Sequence, residues 1–235
     1  MKPKKLSSYS AGSQSPHSIL LSKKRRSPFD IEKALKWQLA DHFRRDANDF
    51  IWRMDKINDP ESSSLSWNAK RFVDMRMSAE CALKSIVISL SKSNETPENA
   101  YSSARGCSHS LQKLKEVVIK RAYRKVKFLS ETEIVVLLEG HSIDVFTRYS
   151  VETLFMLYDD YASETLSKKE RSILKLKDTN WVASFEKIVF KLRDIANNSQ
   201  KRLAKHRPMT GTESLSLSKR FLEFKTEVKE KKKGK

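Results

Sequence analysis

The sequence predicts an all-α protein, a bundle of five or six helices, and three observations lead there. Apolar residues recur at three- and four-residue steps over several long stretches, the period of a helix with one face buried. Five Gly and six Pro in 235 residues are too few for the turns of an all-β chain. Residues that cap helix N-termini stand just before the apolar stripes. A chain of this length buries a sizeable core without disulfides or metals.

Residues 1–27 combine Ser, Lys, Pro and Gly with few large apolar residues and predict a basic, disordered arm; Lys23 to Arg26 has the composition of a nuclear import signal. Ser27 as N-cap, Pro28 in the first turn and Asp30 near the positive end then open a helix. Its stripe is Ile31, Leu35, Leu39, Phe43, Ala47, Phe50, Met54 and Ile57. Trp37 and Trp52 lie off its centre and either widen the core or meet a partner. A turn around Pro60 leads into a second long helix, from about Ser66 to Leu90, with Phe72, Val73, Ala79, Leu83, Ile86, Val87 and Leu90 on one side. Arg76 falls near that stripe, so it either pairs with Glu80 at i+4 or faces a groove that welcomes an anion.

Residues 91–108 read as a polar surface loop of about twenty residues, longer than most connections in compact domains. His109 follows at the start of the next helix, where Ser108 or Ser110 can cap and Leu111, Leu114, Val117 and Val118 begin a stripe. That helix carries a basic ridge in which Lys113, Lys120, Arg124 and Lys127 share a face, with Arg121 and Tyr123 beside it. The ridge either tracks phosphates or is a solvated face. Ser130 to Glu133 is a capping box before a short apolar helix over Ile134 to Leu138, with Gly140 as its stop. Arg148 and Tyr149 precede a helix capped by Ser150 with Leu154, Leu157, Tyr158 and Tyr161 inward. Thr179 caps a last substantial helix bearing Trp181, Phe185, Ile188, Val189, Leu192 and Ile195. From residue 207 the chain reads as a basic tail, so the expected domain spans residues 28–206.

The formal net charge is +18, and most of the excess lies at the ends. Residues 1–26 carry seven Lys or Arg and no acid; residues 207–235 carry nine basic and four acidic residues. Such segments add affinity for a polyanion by counterion release, with little sequence specificity, or simply keep a protein soluble. Cys81 and Cys107 form neither a metal-ligand spacing nor a disulfide framework, and no apolar run approaches the span of a bilayer. The expectation is a soluble, cytoplasmic protein without cofactor or metal.

The run Ser78-Ala-Glu80-Cys-Ala-Leu-Lys84, followed by a loop and then His109-Ser-Leu-Gln-Lys-Leu114, resembles the HEPN family, the all-helical "higher eukaryotes and prokaryotes nucleotide-binding" domains. Thr147 to Ser150 is similar to a further Arg-Tyr step in that family, and the likeness covers roughly residues 28–168. It implies long antiparallel helices, a homodimer with a cleft between the copies, and RNA as the favoured partner. Nuclease members place four to six residues between an Arg and a His on one helix, supplying a base for the 2′-hydroxyl and a cation for the phosphate. This chain departs from that spacing: its nearest pairs, Arg105 with His109 and Arg202 with His206, have three intervening residues.

No phosphate-cradling glycine loop, Ser-His-acid frame or zinc spacing occurs, and the adjacent Asp159 and Asp160 diverge by about 100° on a helix. The sequence therefore leads to a HEPN-like protein that binds RNA or another nucleic acid through Lys113, Lys120, Arg121, Arg124, Lys127 and Arg148 without cleaving it. The alternatives are a HEPN-type ribonuclease of a defence or toxin system with an atypical Arg/His pair, and a helical adaptor for an acidic protein.

Overall fold

The computed structural model describes residues 29–57, 65–122, 128–143, 172–203 and 209–233, and all the regular structure among them is helical. The helices are α1 (Ile31–Ile57), α2 (Leu65–Ser89), α3 (Pro97–Arg105), α4 (Leu111–Ala122), α5 (Glu131–Ser142), α6 (Thr179–Leu203) and α7 (Gly211–Lys233). A 3-10 turn, Lys175–Lys177, precedes α6. No described helix is long and apolar enough to cross a membrane.

α2 is the axis of the bundle, flanked by α1, α3, α4 and α6. Its expected stripe is buried, but so is the opposite side: from Phe72 to Leu90 every residue except the half-buried Met77 is shielded from solvent. Burial on all sides forces its polar residues to find partners. The hydroxyls of Ser78 and Ser85 donate to the carbonyls of Ala47 and Ala40, both at 2.9 Å, so α1 and α2 run antiparallel with their backbones close. Arg44 and Asp41 on α1 meet Asn197 and Gln200 on α6 in the same antiparallel sense. Burial pushes the Asp41 carboxyl up, but hydrogen bonds from Arg44 and Gln200 and the charges of Arg44 and Arg45 hold it below its usual range.

Several local expectations are corrected. Asp30 caps α1, accepting from the Lys33 amide at 2.9 Å, while Ser27 and Pro28 lie outside the described residues. Asp178 rather than Thr179 caps α6, accepting from the amides of Asn180 and Trp181 at 2.9 and 3.1 Å. The segment read as a loop from 91 to 108 contains α3, capped by Thr96 with Pro97 in its first turn and with Ala100 and Ala104 in the core. Gly140 does not stop α5, which continues to Ser142; it lets the helix lie against the ring of Phe185. The capping box at Ser130 and Glu133 is observed as expected.

The stretch from residue 207, expected as a flexible tail, is helical from Gly211 to Lys233 and docks on α1 and α3. Leu217 and Phe224 are buried, Phe224 sets its ring edge-on to Tyr101 at 5.2 Å, and Arg220 bridges Glu32 at 2.9 Å and Glu98 at 2.5 Å. Trp181, Phe185, Ile188, Val189, Leu192 and Ile195 of α6 are all buried, as their spacing predicts. Trp37 is half-buried on α1, whereas Trp52 is 62% exposed.

Candidate functional site

Two of the buried polar residues of α2, Glu80 and Lys84, open onto a cleft of about 420 Å³ between α1, α2 and the turn before α4. Glu80 is its centre. Only 1% exposed, it takes Lys84, one helical turn on and 8% exposed, at 2.5 Å and His109 at 3.0 Å, one on each carboxylate oxygen. Lys84 and His109 thus fill the role that spacing assigns to Arg76. Arg76, 5% exposed, instead donates to the His109 carbonyl at 3.3 Å.

Two turns aim His109. Ser108 stands at φ 49°, a left-handed conformation that serine tolerates less readily than glycine, and the amides of Ser108 and Ser110 bond the carbonyls of Arg105 and Cys107. Ser110 then caps α4, accepting from Lys113 at 3.2 Å, so His109 precedes the helix rather than opening it. An ionised carboxylate accepts only, so toward it His109 donates from Nδ1, and in the neutral imidazole Nε2 is then the acceptor. The side chain is 62% exposed at the cleft mouth.

The far wall comes from α1: Asp46, Asp49, Phe50 and Arg53. Arg53 is already committed to the buried Asp74 at 2.5 Å. Cys81 also borders the cleft, but burial and the charges of Glu80 and Asp46 push its thiol up to about 12, and burial raises Cys107 as well, so neither is a ready thiolate. Among the described residues no group of three His, Cys, Asp or Glu is placed to hold a metal.

No protein-family model, curated protein or solved structure matches this chain. Its chemistry therefore rests on geometry alone. Arg105 and His109 are separated by their partners: Arg105 donates to the Tyr101 hydroxyl at 3.1 Å and does not line the cleft. Arg124, Lys127, Arg148 and His206, with the side chain of Arg202, lie outside the described residues, as do the helix expected after Ser150 and the Asp159–Asp160 pair. On α4, Lys113 and Lys120 are exposed and neither ammonium pairs with an acid among the described residues. Arg121 turns inward to the Val87 carbonyl at 2.7 Å and Glu95 at 2.6 Å.

His141, which no sequence motif marks, sits half-buried in the last turn of α5. Burial and the nearby Arg76 charge hold its imidazole below the ordinary value of 6.5. The folded state then binds this proton less readily than the unfolded chain, so stability falls as pH drops through 6.5 toward the folded-state value. Urea denaturation at pH 7.5 and at pH 5 is expected to show a smaller pH-dependent loss in His141→Gln than in the wild type. Equal losses would remove His141 from the pH response.

Proposed function

We propose that this is a HEPN-like helical protein that binds nucleic acid, RNA by preference, without cleaving it. The observation that carries this reading is the free basic face of α4. Most acids of the bundle are matched to cations, as Glu95, Glu98, Glu133 and Glu139 are, whereas Lys113 and Lys120 project to solvent two turns apart on one side. Unpaired lysines on a rigid helix are suited to phosphates, and the basic excess of residues 1–26 adds to the attraction. Non-cleavage is supported by the charge of the cleft. A scissile phosphate beside His109 would meet the carboxylates of Glu80, Asp46 and Asp49, while Arg53 and Lys84 are already paired.

The test is a salt titration of binding to a labelled single-stranded RNA. Affinity is expected to fall steeply with salt, and Lys113→Glu with Lys120→Glu to weaken binding at least tenfold and reduce the salt slope by about two. Affinity indifferent to salt would instead favour the adaptor reading. Pairing of two copies belongs to the same proposal, with the exposed Trp52 of α1 as a contact; sedimentation of Trp52→Glu as a monomer beside a wild-type dimer is the expected result.

One observation favours the ribonuclease alternative. His109 is held at Nδ1 by a buried carboxylate with Nε2 left to act, the arrangement of an oriented general base. RNA cleavage by the wild type that disappears in His109→Ala would establish it.

A further inference from the structure

A second hollow, of about 730 Å³, lies beside the C-terminal half of α4, between it, the end of α2, the turn before α3 and α3 itself. Its walls are tied at two points. Lys36 of α1, buried, donates through Nζ to the carbonyls of Lys92 at 3.1 Å and Glu95 at 2.9 Å, pinning the turn. Arg121 binds the Val87 carbonyl and the Glu95 carboxylate, joining α4 to α2 and satisfying the one acid in the lining. The cavity is therefore set by interactions independent of any ligand.

Its lining divides by chemistry. Leu90 and Val117 provide an apolar surface, Asn94 and Ser103 provide hydrogen-bonding groups, and Lys92 and Lys120 stand exposed at the edge. Ser103 already donates to the Asn99 carbonyl at 2.8 Å, so its oxygen remains an acceptor, while the Asn94 amide offers both a donor and an acceptor. Neither Lys92 nor Lys120 forms a side-chain ion pair among the described residues. An apolar seat, a few convergent polar groups and two cations at the lip suit a flat heterocycle carrying a phosphate, and the volume lies within the ~300–1,000 Å³ range of small-molecule sites.

We propose that this hollow receives one unstacked nucleotide of a single-stranded RNA, with the base against Leu90 and Val117 and the flanking phosphates at Lys92 and Lys120. A base inside a duplex is stacked on both faces and cannot enter, so the site selects single strands where the α4 face alone would not. This inference rests on the nucleic-acid reading above and assigns it a place and a strand preference.

The experiment uses the full chain with a labelled mixed-sequence 20-nucleotide RNA, single-stranded and annealed to its complement. Val117→Trp fills the hollow without changing charge. It is expected to weaken single-strand binding roughly tenfold while leaving duplex affinity within about twofold and the salt slope unchanged. Lys113→Glu, outside the hollow, is expected to weaken both. If Val117→Trp loses its helical circular dichroism, Asn94→Trp, at an exposed turn position, blocks the same space. A folded blocking variant that binds single strands as tightly as the wild type overturns the hollow alone. A wild type that binds neither RNA overturns it together with the nucleic-acid reading.

Discussion

Glu80→Ala is expected to destabilise the protein by about 3–5 kcal/mol. The carboxylate is almost wholly buried and holds the ammonium of Lys84, itself 8% exposed, so its removal strands a charge inside the bundle. His109 loses its anchor in the same step. The cost comes from the orphaned cation rather than from a large intrinsic value of the pair, because desolvation of both ions offsets much of their attraction. The double variant Glu80→Gln with Lys84→Met, which removes both charges and keeps the volume, should therefore regain most of the loss. Urea midpoints of the two variants decide the matter. A shift below about 1 kcal/mol in Glu80→Ala would mean that water reaches Lys84 freely.

Gly140→Ala is the second. In an open helix the change is worth up to about 1 kcal/mol in favour of alanine. Here the new methyl group would lie within 2.9 Å of three ring carbons of Phe185. That ring has no room to retreat: it is fully buried, stacked on Trp181 at 5.6 Å and tilted against Phe72 at 5.1 Å. Overpacking of this kind costs about 1–3 kcal/mol, so the sign of the usual glycine substitution is expected to reverse. Gly211→Ala is the control, since nothing stands within 4 Å of its added Cβ, and its melting temperature should stay level or rise slightly. Equal shifts for the two variants would rule out the close packing of α5 on α6.

Residues legible in the sequence are those whose environment is set by their near neighbours. The stripe of α1 from Leu35 to Met54, that of α6 from Trp181 to Ile195 and the capping box at Ser130 are periodic or contiguous patterns, and each is where spacing puts it. α3 was hidden by its polar composition, although Thr96-Pro97-Glu98 is a helix opening that could have revealed it. α7 was hidden by its charges. Arg220 depends on Glu32 and Glu98, and Phe224 on Tyr101, all more than a hundred residues earlier.

The cleft divides in the same way. Sequence likeness singled out Glu80, Lys84 and His109 as parts of two motifs, but not that one carboxylate serves both others, nor that Arg105 turns away to Tyr101. The basic face of α4 was legible at Lys113 and Lys120, whereas the inward turn of Arg121 was not.

By itself the sequence determined that the chain is all helical, where most helices lie, and that its cations outnumber its acids, because helical periodicity and composition are properties of short stretches. Tertiary structure decided which polar residues are buried and with whom they pair. A helix covered on every side must satisfy each charge it carries, and for α2 the partners Arg53 and His109 come from other segments of the chain.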